Sequence, residues 1–146
     1  MAYSYYQDRF YPRNPSKYRG NIKEIFYRSG WEKKVMQHFD MNPNVLEWSS
    51  EEIAIPYFVP EDNKIHRYFP DFVARLKQKD GGERVYMYEV KPEKETRPPK
   101  RKKSDPKYIA EAFKYYINDL KWKAAAAYCA QRGWTFALLT EKDLGV

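Results

Sequence analysis

Cysteine, histidine and glycine are scarce in this chain of 146 residues. Its single cysteine, Cys129, excludes an intrachain disulfide and a zinc site made of several cysteines. With only two histidines, His38 and His66, no histidine-based zinc site is expected. None of the six glycines belongs to a glycine-rich phosphate-binding loop, which argues against a nucleotide-driven motor. These absences direct attention to the charged residues.

Long apolar runs are also lacking. No stretch approaches the roughly 20 residues that span a membrane, and the polar N-terminus does not resemble a signal peptide. We therefore expect no membrane partner and a protein that acts where it is made, in a reducing cytoplasm. Cys129 lies in an alanine-rich helical run, which predicts a buried thiol.

Positive charge and aromatic rings are abundant. The 27 Lys and Arg residues outnumber the 20 Asp and Glu residues and give a net charge of +7, which suits a polyanionic partner. Aromatic residues make up 18% of the chain, and tyrosine is common both at interfaces and against nucleic-acid bases. The length fits one domain with an appendage.

The appendage is predicted at the N-terminus. Residues 1–20 are aromatic, basic and spaced by prolines, without a sustained helical or strand period. We interpret them as an extended arm that folds over the domain or onto a partner. A disordered tail is the alternative, although such tails are usually poor in aromatic residues. The domain proper is expected at residues 21–146.

Helical and strand patterns alternate through the domain. Ser29 and Glu32 have the Ser-x-x-Glu spacing of a capping box, which predicts a helix from there to about Asp40. Strands are expected at residues 52–59, 68–76 and 84–91, with Pro56 at an edge or a bulge and a turn at 79–82.

A long helix is predicted next. It begins at Asp105 and Pro106 and ends at Gly133, ahead of a last strand at residues 134–140. An apolar stripe at helical spacing predicts its buried face: Ile109, Phe113, Ile117, Leu120, Ala124 and Ala127. The resulting order is helix, three-strand meander, helix, strand, which is an α/β fold.

Asp71, Glu89 and Lys91 are the main candidates for chemistry. Asp71 is expected on one strand, and Glu89 and Lys91 leave the same face of the next strand about 6.6 Å apart. Two carboxylates and an amine that converge at a hairpin suit Mg²⁺ binding and the hydrolysis of a phosphodiester. Other acid-x-Lys triplets lie on predicted helices or in a loop and carry less weight: those starting at Glu32, Asp62, Asp105 and Asp119.

The alternative for Glu89 and Lys91 is an ordinary ion pair on an exposed sheet face. Against it, the apolar neighbours Val85, Met87 and Val90 indicate that both faces of this strand are covered. A carboxylate in a buried strand is costly unless it is paired or bound to a metal.

These residues resemble a known motif. Pro70-Asp71 followed at a distance by Glu89-Val90-Lys91 is similar to the PD-(D/E)xK motif of restriction-endonuclease-like nucleases. The runs at residues 66–72 and 133–141 are most similar to TnsA-type transposon-end nucleases. The resemblance covers roughly residues 25–142. It implies a restriction-endonuclease-like core and a metal-dependent endodeoxyribonuclease.

The resemblance also implies roles for particular residues. Asp71 and Glu89 would hold Mg²⁺, for which Mn²⁺ could substitute, together with the backbone carbonyl of Val90. Lys91 would position the attacking water or help to deprotonate it. Glu32 matches a helix acid that completes the metal site in such nucleases. Its alternative role is structural, because the third residue of a capping box bonds to the backbone of Ser29.

Basic residues outside this motif predict contacts with DNA phosphates, which position DNA without reading its sequence. The candidates lie in a loop and on the long helix: Lys100, Arg101, Lys102, Lys103, Lys121 and Lys123. The alternative is a solvated loop and helix face.

Taken over its whole length, the chain resembles phage nucleases that act in head completion after DNA packaging. That likeness implies DNA and phage head or portal proteins as partners, in the host cytoplasm or within the virion head. A second hypothesis is a structure-selective nuclease of the junction-resolving type, acting as a homodimer. A third is a non-catalytic virion protein that binds DNA or the portal. The intact set of Asp71, Glu89 and Lys91 argues against the third.

Overall fold

The structure, a computed structural model, describes residues 8–100 and 105–145. The strands and α-helices within these ranges are β1 (Asp8–Arg9), β2 (Phe26–Tyr27), α1 (Gly30–Met41), β3 (Val45–Ser50), β4 (Ile55–Val59), β5 (Lys64–Tyr68), β6 (Phe72–Lys77), β7 (Glu83–Val90), α2 (Pro106–Arg132), β8 (Thr135–Leu139) and α3 (Glu141–Leu144). None of the helices in the described ranges is long and apolar enough to cross a membrane.

The central sheet is built from β3, β6, β7 and β8, in that order. Strand β6 lies antiparallel to both β3 and β7, and β8 lies parallel to β7. Parallel neighbours need a crossover connection, which α2 supplies. Strands β4 and β5 form a separate antiparallel hairpin. The multi-strand sheet with its helices confirms the mixed α/β class.

Both faces of the sheet are covered. On one face, α1 and the N-terminal segment pack around Trp48 and Phe72. On the other, α2 and the β4–β5 hairpin pack around Met87 and Cys129, so the buried thiol predicted for Cys129 is confirmed. Side chains alternate along β7, which places Glu89 on the same face as Met87. The candidate acid therefore lies on the face shared by α2 and the hairpin.

The predicted meander is partly wrong. The segment at residues 52–59 was expected as its first strand, but β3 (Val45–Ser50) occupies that place in the sheet. Strand β4 pairs instead with β5, outside the sheet. The strand expected at 68–76 is also broken in two, because Pro70 has no backbone N–H to donate. Asp71 accordingly lies just before β6 rather than within a strand.

The first helix is confirmed. It spans Gly30–Met41, and the Ser29 hydroxyl accepts a hydrogen bond of 3.1 Å from the backbone N–H of Glu32. This bond satisfies one of the free N–H groups of the first turn. Its buried face carries Val35, Met36 and Phe39.

The long helix is confirmed in its bounds, but not in its buried face. It spans Pro106–Arg132, with Asp105 as N-cap and Gly133 in a left-handed conformation after its end. Of the predicted stripe, Ile109 and Phe113 are 60% and 51% exposed, and Ala127 is exposed too. The buried positions lie from the middle of the helix onward: Asn118, Ala125 and Cys129. The stripe failed because the first turns of the helix, which carry Ile109 and Phe113, are largely exposed.

Residues 8–20 lie on the domain and contribute to its core. The rings of Phe10 and Tyr18 contact Trp48, with centroids 5.9 and 4.8 Å away. The buried carboxylate of Asp40 accepts the backbone N–H groups of Arg13 and Asn14 at 2.8 and 2.9 Å. Residues 1–7 lie outside the described ranges, and the division of the chain at residue 20 stays a prediction.

Candidate active site

The pairing of β6 with β7 sets the position of the two principal acids. Phe72 lies opposite Tyr88 in this ladder, so Asp71 comes next to the end of β7 that carries Glu89. Oδ2 of Asp71 accepts a hydrogen bond of 2.8 Å from the backbone N–H of Val90. Asp71 and Glu89 thus meet at one corner of the sheet, and a main-chain bond fixes the first of them there.

The side chain of Glu89 is buried and has a different partner at each oxygen. Its Oε1 accepts a hydrogen bond of 2.7 Å from the hydroxyl of Tyr68, and its Oε2 lies 3.9 Å from Nζ of Lys91. The backbone N–H of Lys91 donates to the carbonyl of Leu139 at 2.9 Å, which extends the pairing with β8 beyond β7. Lys91 therefore stands beside Glu89, as the alternation of strand residues predicts.

Burial makes this corner electrostatically unfavourable when both acids are charged. The pKa of Asp71 is raised well above its ordinary value, first by burial and then by the charges of Glu89 and Glu32. The pKa of Glu89 is also raised by burial, although Tyr68 and Lys91 oppose that shift. Two repelling carboxylates in a poorly solvated corner favour the approach of a cation.

Glu32 reaches the same corner from the first turn of α1. Its pKa is raised by burial and by the charges of Glu51 and Glu89, while the Arg28 backbone opposes the shift. Oε1 of Glu32 accepts the backbone N–H of Arg28 at 3.2 Å. The prediction of a capping-box bond between Glu32 and the Ser29 backbone is therefore wrong, because the Glu32 carboxylate accepts the N–H of Arg28 instead, one residue before Ser29.

Sequence reasoning missed three residues around these acids. Nη1 of Arg28 lies 2.8 Å from both carboxylate oxygens of Glu51, and Tyr68 holds Glu89. The backbone of Glu51 has a φ of 53°, an uncommon conformation for a residue other than glycine. None of these contacts has a local signal in the sequence, since each joins residues more than 20 positions apart.

The two lysines of α2 that were predicted to contact DNA, Lys121 and Lys123, have different surroundings in the structure. Nζ of Lys121 lies 6.0 and 5.9 Å from the ring centroids of Tyr57 and Tyr68, and its pKa is lowered by burial and by the charge of Lys91. Lys123 is exposed and pairs with Asp119 at 2.8 Å. Each residue of an α-helix turns the side-chain direction by about 100°, so Lys123 lies about 200° around the helix from Lys121 and points away from the acids.

The basic loop is only partly described. Lys100 is exposed, whereas Arg101, Lys102 and Lys103 lie outside the described residues. Their predicted contacts with DNA stay a prediction.

The donor set at the corner fits a hard divalent cation. Within residues 8–100 and 105–145, no three His, Cys, Asp or Glu side chains are grouped closely enough to hold a metal ion by themselves. The two carboxylates of Asp71 and Glu89, with the carbonyl of Val90, supply the oxygen ligands that Mg²⁺ prefers. Mg²⁺ usually keeps several waters, so a site with few protein ligands is ordinary for it.

A mixed α/β sheet with two acids and a lysine at the ends of adjacent strands is an arrangement expected of a nuclease. The sequence matches the family model of the TnsA-like endonuclease N-terminal domain over residues 42–141. The chain belongs to this family. The matched range includes Asp71, Glu89 and Lys91 but not Glu32.

A curated relative extends the comparison over nearly the whole chain. Over 149 aligned residues, the chain is 39% identical to the head completion nuclease of Enterobacteria phage T4. The alignment covers 99% of this chain and 95% of that protein. The comparison with solved structures gave no match.

Proposed function

We propose that the protein is a Mg²⁺-dependent DNA endonuclease that hydrolyses phosphodiester bonds in phage head completion, after DNA packaging. The observation that carries the proposal is the pair of the half-buried Asp71 and the buried Glu89, with Lys91 beside it. The full-length likeness to the T4 head completion nuclease supports the biological setting. The β3–β6–β7 meander, followed by α2 and the parallel strand β8, is compatible with a restriction-endonuclease-like core.

Asp71, Glu89 and the carbonyl of Val90 would hold the ion, and Mn²⁺ could replace Mg²⁺. When bound, the ion would lower the pKa of a water and polarise the scissile phosphate. Glu32 acts on Asp71 through its charge but is not grouped closely enough with both acids to share an ion in this arrangement. It would therefore complete the set from α1 only after its side chain moves toward them. The Val90 N–H and the Tyr68 hydroxyl fix one oxygen of each principal acid, so the remaining oxygens have a defined direction.

Lys91 would hold the attacking water and stabilise the charge that develops on the phosphate. Its ammonium is kept at the site by Glu89 at one end of the side chain and by the bond of its own backbone to Leu139 at the other. A donor that is fixed before the reaction stabilises the transition state without the cost of reorganisation.

Phosphate contacts away from the metal site would come from Lys121, Lys100 and the rest of the basic loop. Lys121 faces the acids from α2, and in the part of the chain that the structure describes no carboxylate lies within ion-pairing distance of it. Contacts of this kind set the affinity for DNA and its salt dependence rather than its sequence preference. The protein would act in the infected host cell, with phage head or portal proteins as partners.

The test is cleavage of DNA by the purified protein, with Mg²⁺ or with a chelator, over linear, branched, nicked and single-stranded substrates. Asp71→Ala and Glu89→Ala should each abolish the Mg²⁺-dependent cleavage. Asp62→Ala is the matched control, since this exposed acid also lies two residues before a lysine but forms part of the hairpin turn. Near wild-type cleavage by the first two variants would show that the site is elsewhere. No cleavage of any substrate by the wild type would favour a non-catalytic virion protein.

A further inference from the structure

The β4–β5 hairpin presents a mostly apolar outer face to solvent. Cross-strand pairs place Phe58 opposite Ile65 and Pro56 opposite Arg67. Phe69 continues this face beyond the end of β5, because side chains two residues apart on a strand point the same way. Phe58, Ile65 and Phe69 are 48%, 71% and 42% exposed. Large apolar side chains gathered on one exposed face mark an interaction surface more often than isolated ones do.

The inner face of the same hairpin is fixed to the candidate active site. Ile55 and Tyr68 belong to the core cluster beneath α2. The hydroxyl of Tyr116 on α2 donates to Glu61 at 3.0 Å near the hairpin turn, and the hydroxyl of Tyr68 donates to Glu89. The outer face is therefore held in a set position relative to the acids.

Of the exposed apolar residues on the outer face, Phe69 is the one nearest in sequence to Asp71. It precedes Asp71 by two residues, so their Cα atoms are no more than about 7.2 Å apart. The guanidinium of Arg67 lies 5.7 Å from the centroid of the Phe69 ring. An exposed ring and a cation thus lie side by side on the hairpin, in the segment that leads to Asp71. Ile65, four residues before Phe69, lies up to about 13 Å further along the strand.

We propose that Phe69 and Arg67 form a nucleobase-binding site, in which the ring stacks on a base next to the scissile phosphate and the guanidinium contacts a neighbouring phosphate. The inference rests on the proposed function for the position of that phosphate. A ring can stack only on a base that has a free face, and bases inside a duplex have none. The substrate class is therefore DNA with an unstacked base at the point of cleavage, such as a strand end, a flap or a single strand.

The chemistry of this face favours nucleic acid over a protein partner. Its charged member is the cation Arg67, and its aromatic member Phe69 is the one adjacent to the acids. Aromatic rings interleaved with cations are the usual surface for unpaired nucleotides, because every base offers a π face. An interface for a portal protein or for a second copy of this chain would instead depend on Phe58 and Ile65, which are further from the acids.

Equilibrium binding without metal tests the proposal directly. The probe is a single-stranded oligonucleotide that carries 2-aminopurine, measured by fluorescence and by anisotropy. The competitor is a covalently closed circular duplex, which has no ends and no unpaired bases. Phe69→Ala should weaken single-strand binding by about 5-fold to 150-fold, which corresponds to the ~1–3 kcal/mol of one stacked base. Phe69→Trp should retain it, and Phe58→Ala should bind as the wild type does.

Two results would overturn the proposal. One is wild-type single-strand binding by Phe69→Ala. The other is an equal loss in Phe58→Ala together with a loss of self-association in sedimentation, which would make the face an interface between copies. Because binding is measured without cleavage, the result for the nucleobase-binding site does not depend on whether the protein is a nuclease. A protein that binds single strands through Phe69 yet cuts nothing would disprove only the nuclease function.

Discussion

The hydroxyl of Tyr68 donates a hydrogen bond of 2.7 Å to Oε1 of Glu89, and both residues are buried. Tyr68 ends β5 and Glu89 lies near the end of β7, so this bond ties the hairpin to the centre of the sheet. It leaves Oε2 of Glu89 on the side of Lys91. The hydroxyl therefore positions an acid that we expect to bind metal.

Tyr68→Phe should impair catalysis without unfolding the protein. Loss of the donor leaves a buried carboxylate oxygen unsatisfied, which should lower the free energy of unfolding by about 1–3 kcal/mol. It should also raise the pKa of Glu89 further, because the Tyr68 hydroxyl now opposes the effect of burial. The acidic limb of the pH–rate profile should then move to higher pH. Tyr57→Phe is the control, since its ring also lies below Lys121. An unmoved profile would contradict this role.

Asp71→Asn should stabilise the metal-free protein at neutral pH. The folded-state pKa of Asp71 is raised, so between its ordinary value near 3.8 and the raised value the folded state binds more protons than the unfolded state. This contribution to stability is present at low pH and is lost as the pH rises through that window. Asparagine can still accept the Val90 N–H and carries no charge to lose.

The measurement is the difference in unfolding free energy between variant and wild type from pH 4 to pH 8, without metal. It should increase with pH in favour of Asp71→Asn. Adding Mg²⁺ at 100 times its dissociation constant should then stabilise the wild type by about 2.7 kcal/mol and leave the variant unchanged. A pH-independent difference would show that Asp71 is not the strained acid of this corner.

Glu32→Gln separates a metal role from a structural role. The amide oxygen of glutamine can still accept the N–H of Arg28, so stability should change by less than about 1 kcal/mol. If Glu32 completes the metal site, Mg²⁺ binding measured by calorimetry should weaken and turnover should fall. Normal cleavage by Glu32→Gln would remove Glu32 from the site and leave its bond to Arg28 as its function.

Lys121→Gln and Lys123→Gln form a matched pair on one helix. Lys121 lies beside the acids, whereas Lys123 points away and pairs with Asp119. Losing one phosphate contact should reduce the slope of log K against log salt for duplex DNA by about 0.9. We expect this change in Lys121→Gln and none in Lys123→Gln. The opposite result would place the DNA on the outer side of α2.

The parts of the fold that the sequence predicts are those with regular local patterns. Strand β7 and helix α1 were found because alternation and an N-cap residue are visible within a few residues. Strand β3 was missed because its register shifts between Val45 and Glu47, and because Ser49 and Ser50 are buried although polar. A bulge of this kind breaks the alternation that marks a strand.

The site was predictable to the extent that its residues are close in sequence or carried by one strand. Glu89 and Lys91 share a strand end, and their spacing alone places them on one face. Arg28, Glu51 and Tyr68 take part through contacts made by the tertiary fold, and nothing in their local sequence indicates these contacts. The buried face of α2 was mispredicted for the same reason. The spacing of apolar residues does not show which turns of a helix pack against the rest of the protein and which are exposed.

The bond from the Lys91 backbone to Leu139 has a consequence for the timing of synthesis. Asp71, Glu89 and Lys91 are all synthesised before β8, and the 48 residues from Lys91 to Leu139 take roughly 2–10 s to translate. Until then β7 has an open edge where β8 later pairs. A nascent chain that does not yet reach β8 thus lacks the strand that fixes its lysine, so the capacity to damage DNA would arise only once β8 has been made.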